Sequence, residues 1–187
     1  FATAGGVQYV ACAGNFKDAG LEYTGALKVL QMIFSYEYLW IQIRVKGGAY
    51  GCMCSFSDQG DSMFVTYRDP NLSESYKVYD EAADYVADFD ADDRDMKKYI
   101  IGTIGSMDMP MEAVDMGARS FHAYFLDKTE ADLQKVRDQV LSCTQEDIRA
   151  LAPIVKAVVE AGNRCCIGNE EKIDQNKEYF DEVKHVL

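Results

Sequence analysis

The stretch Arg44-Val45-Lys46-Gly47-Gly48-Ala49-Tyr50-Gly51 joins the longest apolar run of the sequence to a segment of strand formers. We call it the corner octet. Cations in a last helical turn, followed by glycines, are the usual signals that end a helix. The octet therefore predicts a sharp corner between a helix and a strand.

The segments on either side of the corner octet have clear patterns. Residues 24–44 lack proline and are apolar on nearly every turn, which predicts one helix buried on most sides. A strand is predicted before it, over residues 7–13. After the corner, residues 49–56 and 62–68 alternate like the two strands of a hairpin around a polar turn.

The rest of the chain is predicted to be mainly helical. Helices are expected over residues 73–89, 92–107, 111–126, 131–143 and 145–161, followed by a strand over 164–168 and a helix over 170–186. Thr129 and Thr144 each begin a Thr-x-x-Asp box that caps a helix. This order predicts an α+β two-layer fold, in which a mainly antiparallel sheet packs against several helices. No linker or repeat interrupts residues 1–187, so we expect a single domain.

The charge balance restricts the classes of partner. The chain has 19 Lys plus Arg against 31 Asp plus Glu, a net charge of −12. Nucleic acids and anionic membranes need clustered cations, so neither is an expected partner. A cationic peptide suits an acidic surface better.

The start of the chain shows no targeting signal. No run approaches the roughly 18 apolar residues of a membrane span, and the first residues lack the basic and apolar regions of a signal peptide. The chain begins at Phe1 instead of a methionine. We therefore expect a piece of a longer protein that works in the cytoplasm or an organelle matrix.

The six cysteines are expected to be reduced and mostly buried. A zinc site is the alternative, but neither Cys52-x-Cys54 nor the adjacent Cys165 and Cys166 has the C-x-x-C spacing of a zinc knuckle. Buried thiols are the favoured interpretation.

Other templates for chemistry match poorly. The sequence has no phosphate-binding loop, no dinucleotide-binding glycine motif and no nucleophile elbow. His122 is expected to be a partly buried helix residue. Asp88-x-Asp90-x-Asp92 opens like a calcium loop, but Asp93 and Tyr99 stand where that loop needs Gly and Glu. A solvated helix end is therefore favoured there.

The corner octet carries the best candidate site. Gly47 and Gly48 would let another backbone approach, while Arg44 and Tyr50 offer a cation and a phenol donor beside it. Such a pair could hold a peptide carbonyl as charge develops on it. In a purely structural alternative, Arg44 stabilises the helix end, Gly47 is its left-handed cap and Tyr50 is a strand aromatic.

The corner octet, with Tyr38-Leu39-Trp40 before it, resembles the C-terminal domain of the inverted-zincin metallopeptidases. This is the pitrilysin and insulinase superfamily, and the presequence protease and falcilysin branch is the most similar. Residues 144–148 and 167–173 match more weakly, so the resemblance extends in order over nearly the whole chain.

The resemblance implies a zinc metalloendopeptidase whose four related α+β domains close around a chamber, with this chain as the fourth. Zinc would be bound by an H-x-x-E-H helix and a distal Glu of the first domain, none of which is present here. Arg44 and Tyr50 would bind the substrate backbone, beside Gly47 and Gly48, and stabilise the tetrahedral intermediate.

The resemblance also implies partners and alternatives. The partners would be the remaining domains of the same polypeptide and unstructured peptides, with basic ones suited to the acidic surface. The isolated chain should be inactive, because the zinc site is missing. A non-catalytic assembly or peptide-holding domain is the alternative, although the retention of Arg44 and Tyr50 favours the enzyme. An unrelated acidic interaction domain is a third possibility.

Overall fold

The computed structural model contains a five-stranded mixed sheet, and helices cover one face of this sheet. The model describes residues 1–186, so Leu187, which belongs to the expected domain, lies outside the described residues. The strands are β1 Ala2–Thr3, β2 Tyr9–Asn15, β3 Gly51–Phe56, β4 Asp61–Tyr67 and β5 Asn163–Asn169. They lie in the order β1-β5-β2-β4-β3, with β1 parallel to β5 and the other neighbours antiparallel. The predicted α+β class is confirmed.

Helices follow β2, β4 and β5 along the chain. The α-helices are α1 Ala26–Tyr36, α2 Ser73–Asp80, α3 Ala82–Ala87, α4 Asp93–Met107, α5 Ala113–Phe125, α6 Glu130–Leu141, α7 Gln145–Arg149, α8 Ala152–Glu160 and α9 Glu170–Gln175. A π-helix spans Trp40–Lys46, and 3-10 helices span Phe16–Ala19 and Lys177–Tyr179. Within the described residues, no helix is long and apolar enough to cross a membrane.

The core lies between the sheet and the first helix layer, where α1 contacts β3 and α8 contacts β2. Phe34 of α1 is at its centre, with its ring 5.8 Å from that of Phe64 and 6.4 Å from that of Phe56. All three side chains are buried. Because each large apolar side chain gains about 1.5–3 kcal/mol on burial, this cluster fixes α1 on the sheet.

The opposite face of the sheet has no helix layer over it among the described residues. Side chains alternate between faces along a strand, so the strand residues that alternate with the buried ones lie on this face. Its large apolar members, Tyr9, Met53, Met63, Tyr67 and Ile167, are all exposed. We call this surface the open sheet face.

The segment predicted as one helix over residues 24–44 is helical over most of its length, but it is broken into two pieces. The chain leaves the α-helical path at Glu37, where φ is −110° and ψ is −85°, and continues as the π-helix Trp40–Lys46. Both pieces are apolar on most sides, so the pattern of residues alone does not reveal the break between them.

Of the other predicted helices, two are divided and one ends early. The helix expected over 73–89 divides at Glu81 into α2 and α3, and the one over 145–161 divides into α7 and α8. The helix over 170–186 ends at Gln175, and the chain then returns so that His185 pairs with Ala2. The two-residue strand β1 was not predicted, since only its parallel pairing with β5 defines it.

The helix caps follow the prediction. Thr129 and Asp132 form a reciprocal capping box at the start of α6, and Thr144 and Asp147 form another at the start of α7. Asp92 caps α4 by accepting hydrogen bonds from two backbone N–H groups. The acidic run before α4 is therefore a solvated helix end.

The cysteines are free thiols, and four of them are buried, as expected: Cys12, Cys54, Cys143 and Cys166. Burial raises the pKa of Cys12 and Cys166 to about 11, so both stay protonated at neutral pH. No three His, Cys, Asp or Glu side chains of the described residues form a group that could hold a metal ion. The expectation that His122 is partly buried was wrong, because α5 buries none of its residues.

The approach of β2 to α8 depends on Gly14. A Cβ at this position would lie 2.6 Å from the carbonyl oxygen of Val158 and 2.9 Å from the Cβ of Ala161. Gly14→Ala should therefore lower the free energy of unfolding by about 1–3 kcal/mol, the usual effect of overpacking. Urea unfolding of the two proteins measures the difference.

Gly105→Ala is the matched control. Gly105 lies inside α4, and a Cβ there would meet nothing within 4 Å. This substitution should raise the free energy of unfolding by roughly 0.5–1 kcal/mol, because alanine is the better helix former. Equal effects of the two substitutions would contradict the close contact at Gly14.

Candidate active site

The corner octet folds as the end of the π-helix and the entry to β3. The backbone N–H of Gly47 donates to the carbonyl of Gln42 at 3.0 Å, and that of Ala49 donates to the carbonyl of Ile43 at 3.1 Å. These bonds close wider turns than an α-helix allows. Such π-turns are rare and occur frequently at functional sites.

The two glycines of the corner are required for different reasons. A Cβ on Gly47 would lie 2.6 Å from the carbonyl oxygen of Ile43, so no side chain fits there. Gly48 has a φ of +81°, which favours glycine. The left-handed residue is therefore Gly48, and the alternative that placed it at Gly47, where φ is −79°, was wrong.

Arg44 is held between two aromatic rings. Its guanidinium carbon lies 4.7 Å from the ring centroid of Trp40 and 5.4 Å from that of Tyr50. Its Nη1 donates to the carbonyl of Tyr50 and, at 3.4 Å, to that of Ala49. The remaining guanidinium N–H groups donate to no described residue, so they are available to a ligand.

Tyr50 stands immediately before β3 with its ring largely in solvent. The side chain is 66% exposed, and within residues 1–186 its phenol hydroxyl forms no hydrogen bond. Its ring lies 5.8 Å from that of Tyr67, which lies 5.5 Å from that of Tyr9. This row of rings connects the corner to the open sheet face.

The corner is supported from behind by a buried polar group, Asp69, that the sequence analysis did not single out. The side-chain amide of Asn71 donates to the carbonyl of Gly47 at 2.6 Å. Asp69 accepts the backbone N–H of Asn71 at 2.9 Å and the hydroxyl of Ser75 at 2.6 Å. Burial raises the pKa of Asp69, which faces hydrogen-bond donors but no cation.

A shallow hollow lies beside Arg44 and Tyr50. Its lining includes Trp40 and Arg68 and contains no carboxylate, histidine or cysteine. The acidic residues that produce the net charge of −12 lie on other surfaces. The hollow therefore offers hydrogen-bond donors and positive charge, but no nucleophile or general base.

The structure thus brings all four predicted site residues, Arg44, Gly47, Gly48 and Tyr50, to one corner. A phenol and a guanidinium that share an accessible hollow can both donate to an oxygen that carries or develops negative charge.

Comparison with known proteins identifies the family. Residues 1–169 match the family model of the PreP C-terminal domain. The chain belongs to the PreP C-terminal domain family. The resemblance to the presequence protease branch is thereby confirmed.

Two relatives of this family match almost the whole chain. Protein HypA of Clostridium perfringens (strain 13 / Type A) is 43% identical over 185 residues, which cover 99% of this chain and 19% of that protein. Presequence protease 1, chloroplastic/mitochondrial, of Arabidopsis thaliana is 34% identical, with 97% of this chain and 17% of that protein covered. The chain spans about a fifth of the length of these relatives.

Solved structures show the same fold at low sequence identity. A peptidase M16 inactive domain from Pseudomonas fluorescens superposes with a TM-score of 0.63 at 16% identity, covering 90% of this chain and 44% of that chain. The α+β architecture is therefore shared with peptidase domains.

The buried Asp69 predicts a pH-dependent stability. A raised folded-state pKa contributes stability that is fully present below the unfolded pKa, about 4, and is lost as the pH rises through the folded value. Asp69→Asn cannot ionise. The unfolding free energy of the wild type minus that of this variant should therefore fall with rising pH, by on the order of 1 kcal/mol per pH unit at most, and then level off.

Urea unfolding of both proteins between pH 4 and pH 8 checks this prediction. Asp108→Asn is the opposite control, because the hydrogen bond from Arg137 lowers the pKa of Asp108. Its stabilising contribution is present above the unfolded pKa, about 4, and is lost only below it, so the difference between the wild type and Asp108→Asn should stay nearly constant from pH 4 to pH 8. A pH-independent difference between the wild type and Asp69→Asn would contradict the prediction.

Proposed function

We propose that this chain is the C-terminal, fourth domain of a longer zinc metalloendopeptidase that degrades unstructured peptides inside a closed chamber. The observation that carries the proposal is the pair of half-buried Arg44 and exposed Tyr50, held at one corner with unused hydrogen-bond donors. The family membership supports it, since relatives are named presequence proteases.

The proposed role of the pair is to bind the substrate backbone and stabilise the tetrahedral intermediate. A carbonyl oxygen gains negative charge when a nucleophile adds to its carbon, and preorganised donors lower the energy of that state. The Tyr50 hydroxyl and the remaining N–H groups of Arg44 supply such donors. Gly47 and Gly48 keep this side of the corner free of side chains, so a peptide backbone can approach.

In this proposal, the zinc ion is bound by a part of the parent polypeptide outside this chain. Residues 1–186 hold no group of three metal-ligating side chains that could form a zinc site. Zinc would be bound by another domain of the parent polypeptide, and Arg44 and Tyr50 would face it when the domains close. Closure would then gate the reaction, because half of the site comes from each side.

The substrate class follows from the corner and its surroundings. Donors that bind backbone carbonyls need an extended chain, which favours unstructured peptides over folded proteins. A backbone held at Tyr50 would place neighbouring side chains over the open sheet face. The net charge of −12 supports basic peptides through surfaces away from the corner, since the hollow itself has two arginines and no carboxylate.

The proposed compartment is the cytoplasm or an organelle matrix. The Arabidopsis relative is named as chloroplastic/mitochondrial and the Aspergillus fumigatus relative as mitochondrial, which supports an organelle matrix as one of the two.

Tyr50→Phe in the parent polypeptide tests the catalytic role. The variant loses one hydroxyl, so kcat on an unstructured basic peptide should fall by roughly a hundredfold with KM little changed. Tyr36→Phe is the matched control, because Tyr36 is also 66% exposed but lies at the end of α1, outside the corner. Full activity of Tyr50→Phe would contradict the catalytic role, and the corner would then only form part of the chamber wall. A wild type that is inactive with zinc supplied would favour the non-catalytic alternative.

The isolated 187-residue chain should be inactive. Residues 1–186 contain no group of three metal-ligating side chains, so in this proposal the zinc that activates the nucleophile comes from another domain. A peptidase assay with zinc and an unstructured peptide should show no turnover above the buffer rate. Turnover that co-purifies with the isolated chain would contradict the proposal that the active site is shared between this chain and another domain.

A further inference from the structure

Helix α5 is the one long element in the described part of the chain that buries no residue. By contrast, α1 has 11 residues and buries six of them. A 13-residue helix on its own is only marginally stable in water, because isolated helices of about that length are marginal even with good helix formers. The described residues therefore supply none of the side-chain burial that usually stabilises a helix of this length.

One face of α5 is a continuous apolar stripe. Its large members are 79% exposed at Val114, 64% at Phe121, 78% at Tyr124 and 67% at Phe125. Their spacing of seven residues, and then of three or four, places them on the same side of the helix. The rings of Phe121 and Phe125 lie 4.6 Å apart, so they form one surface. We call these four residues the α5 stripe.

The segments on either side of α5 contact the rest of the fold. Asp108, which follows α4, forms a paired ion contact with Arg137 of α6 at 2.6 Å and 2.7 Å. Lys128, which follows α5, pairs with Asp58 in the turn between β3 and β4. The stripe is thus presented by an anchored helix.

We propose that the α5 stripe docks against another domain of the same polypeptide. This inference rests on the proposed function, in which the chain is one domain of a longer peptidase. The relatives are about five times as long as this chain, so their remaining sequence is long enough to provide such a surface. Aromatic residues are enriched at protein interfaces.

The size of the stripe fits an intrachain contact better than a dimer of this chain. Three aromatic side chains and a valine at these exposures offer about 500 Å² of surface. A stable complex of two separate chains usually needs about 800 Å² on each partner. Domains of one polypeptide need less, because the linkage gives them a millimolar effective concentration.

The position of α5 also separates it from the candidate active site. Lys128 ties the end of α5 to Asp58, at the far end of β3 from Tyr50. Six strand residues at about 3.3 Å each put roughly 20 Å between these two ends. A domain docked on the stripe therefore leaves the corner accessible to a substrate.

Limited trypsin digestion of the parent polypeptide tests the docking, because Arg119 lies within α5 and is exposed in this chain. In the wild-type parent, cleavage after Arg119 should be slow. A double variant, Phe121→Ser with Phe125→Ser, should be cut there at least about tenfold faster, since proteolysis follows the population of the open state. Ile101→Ser, at a 71% exposed position on α4, is the control and should leave the rate unchanged.

Hydrogen exchange of residues 113–125 in the wild-type parent provides a measurement that needs no variant, and these amides should be protected. Unprotected amides together with fast cleavage in the wild type would overturn the docking. Protection that disappears on dilution would indicate a second copy instead, and protection that appears only with added peptide would indicate a substrate surface. Protected amides in a parent without peptidase activity would leave the docking intact and overturn only the proposed function.

Discussion

The close approach of Gly47 to the carbonyl oxygen of Ile43 is the contact on which the candidate site depends. It lets the chain turn sharply at the end of the π-helix. Ala49 is then placed so that its backbone N–H donates a hydrogen bond to the carbonyl of Ile43. Tyr50 then precedes β3 with its ring in solvent, while Arg44 bonds back to the carbonyl of Tyr50. A side chain at Gly47 would force these groups apart, so one backbone contact aligns both proposed catalytic residues.

The support of this corner is polar and buried, which is costly unless each group is paired. Asp69 meets this requirement by accepting hydrogen bonds from Asn71 and Ser75. The side-chain amide of Asn71 in turn donates a hydrogen bond to the carbonyl of Gly47. The corner is therefore rigid before any ligand arrives. Preorganised donors stabilise developing charge without reorganisation, which is what the proposed function needs.

The sheet and α5 expose apolar surface for different reasons. The open sheet face is continuous with Tyr50 through the rings of Tyr67 and Tyr9, so it belongs with the candidate site. The α5 stripe lies toward the opposite end of the hairpin, and its proposed partner is a neighbouring domain. An exposed apolar patch on each side is expected of a domain that both encloses a substrate and packs in a larger chain.

The sequence by itself determined the fold class, the hairpin, the helix caps and the four residues of the corner, because these depend on local signals: alternation, capping boxes and a cation-glycine helix end. It did not reveal the π-helix, the divided helices, the strand β1 or the support from Asp69. Those features depend on contacts between distant residues, as when Asn71 bonds to Gly47 or β1 pairs with β5. Only the tertiary structure decided which apolar faces are covered, because periodicity shows that a helix such as α5 has an apolar side but not whether anything packs against it.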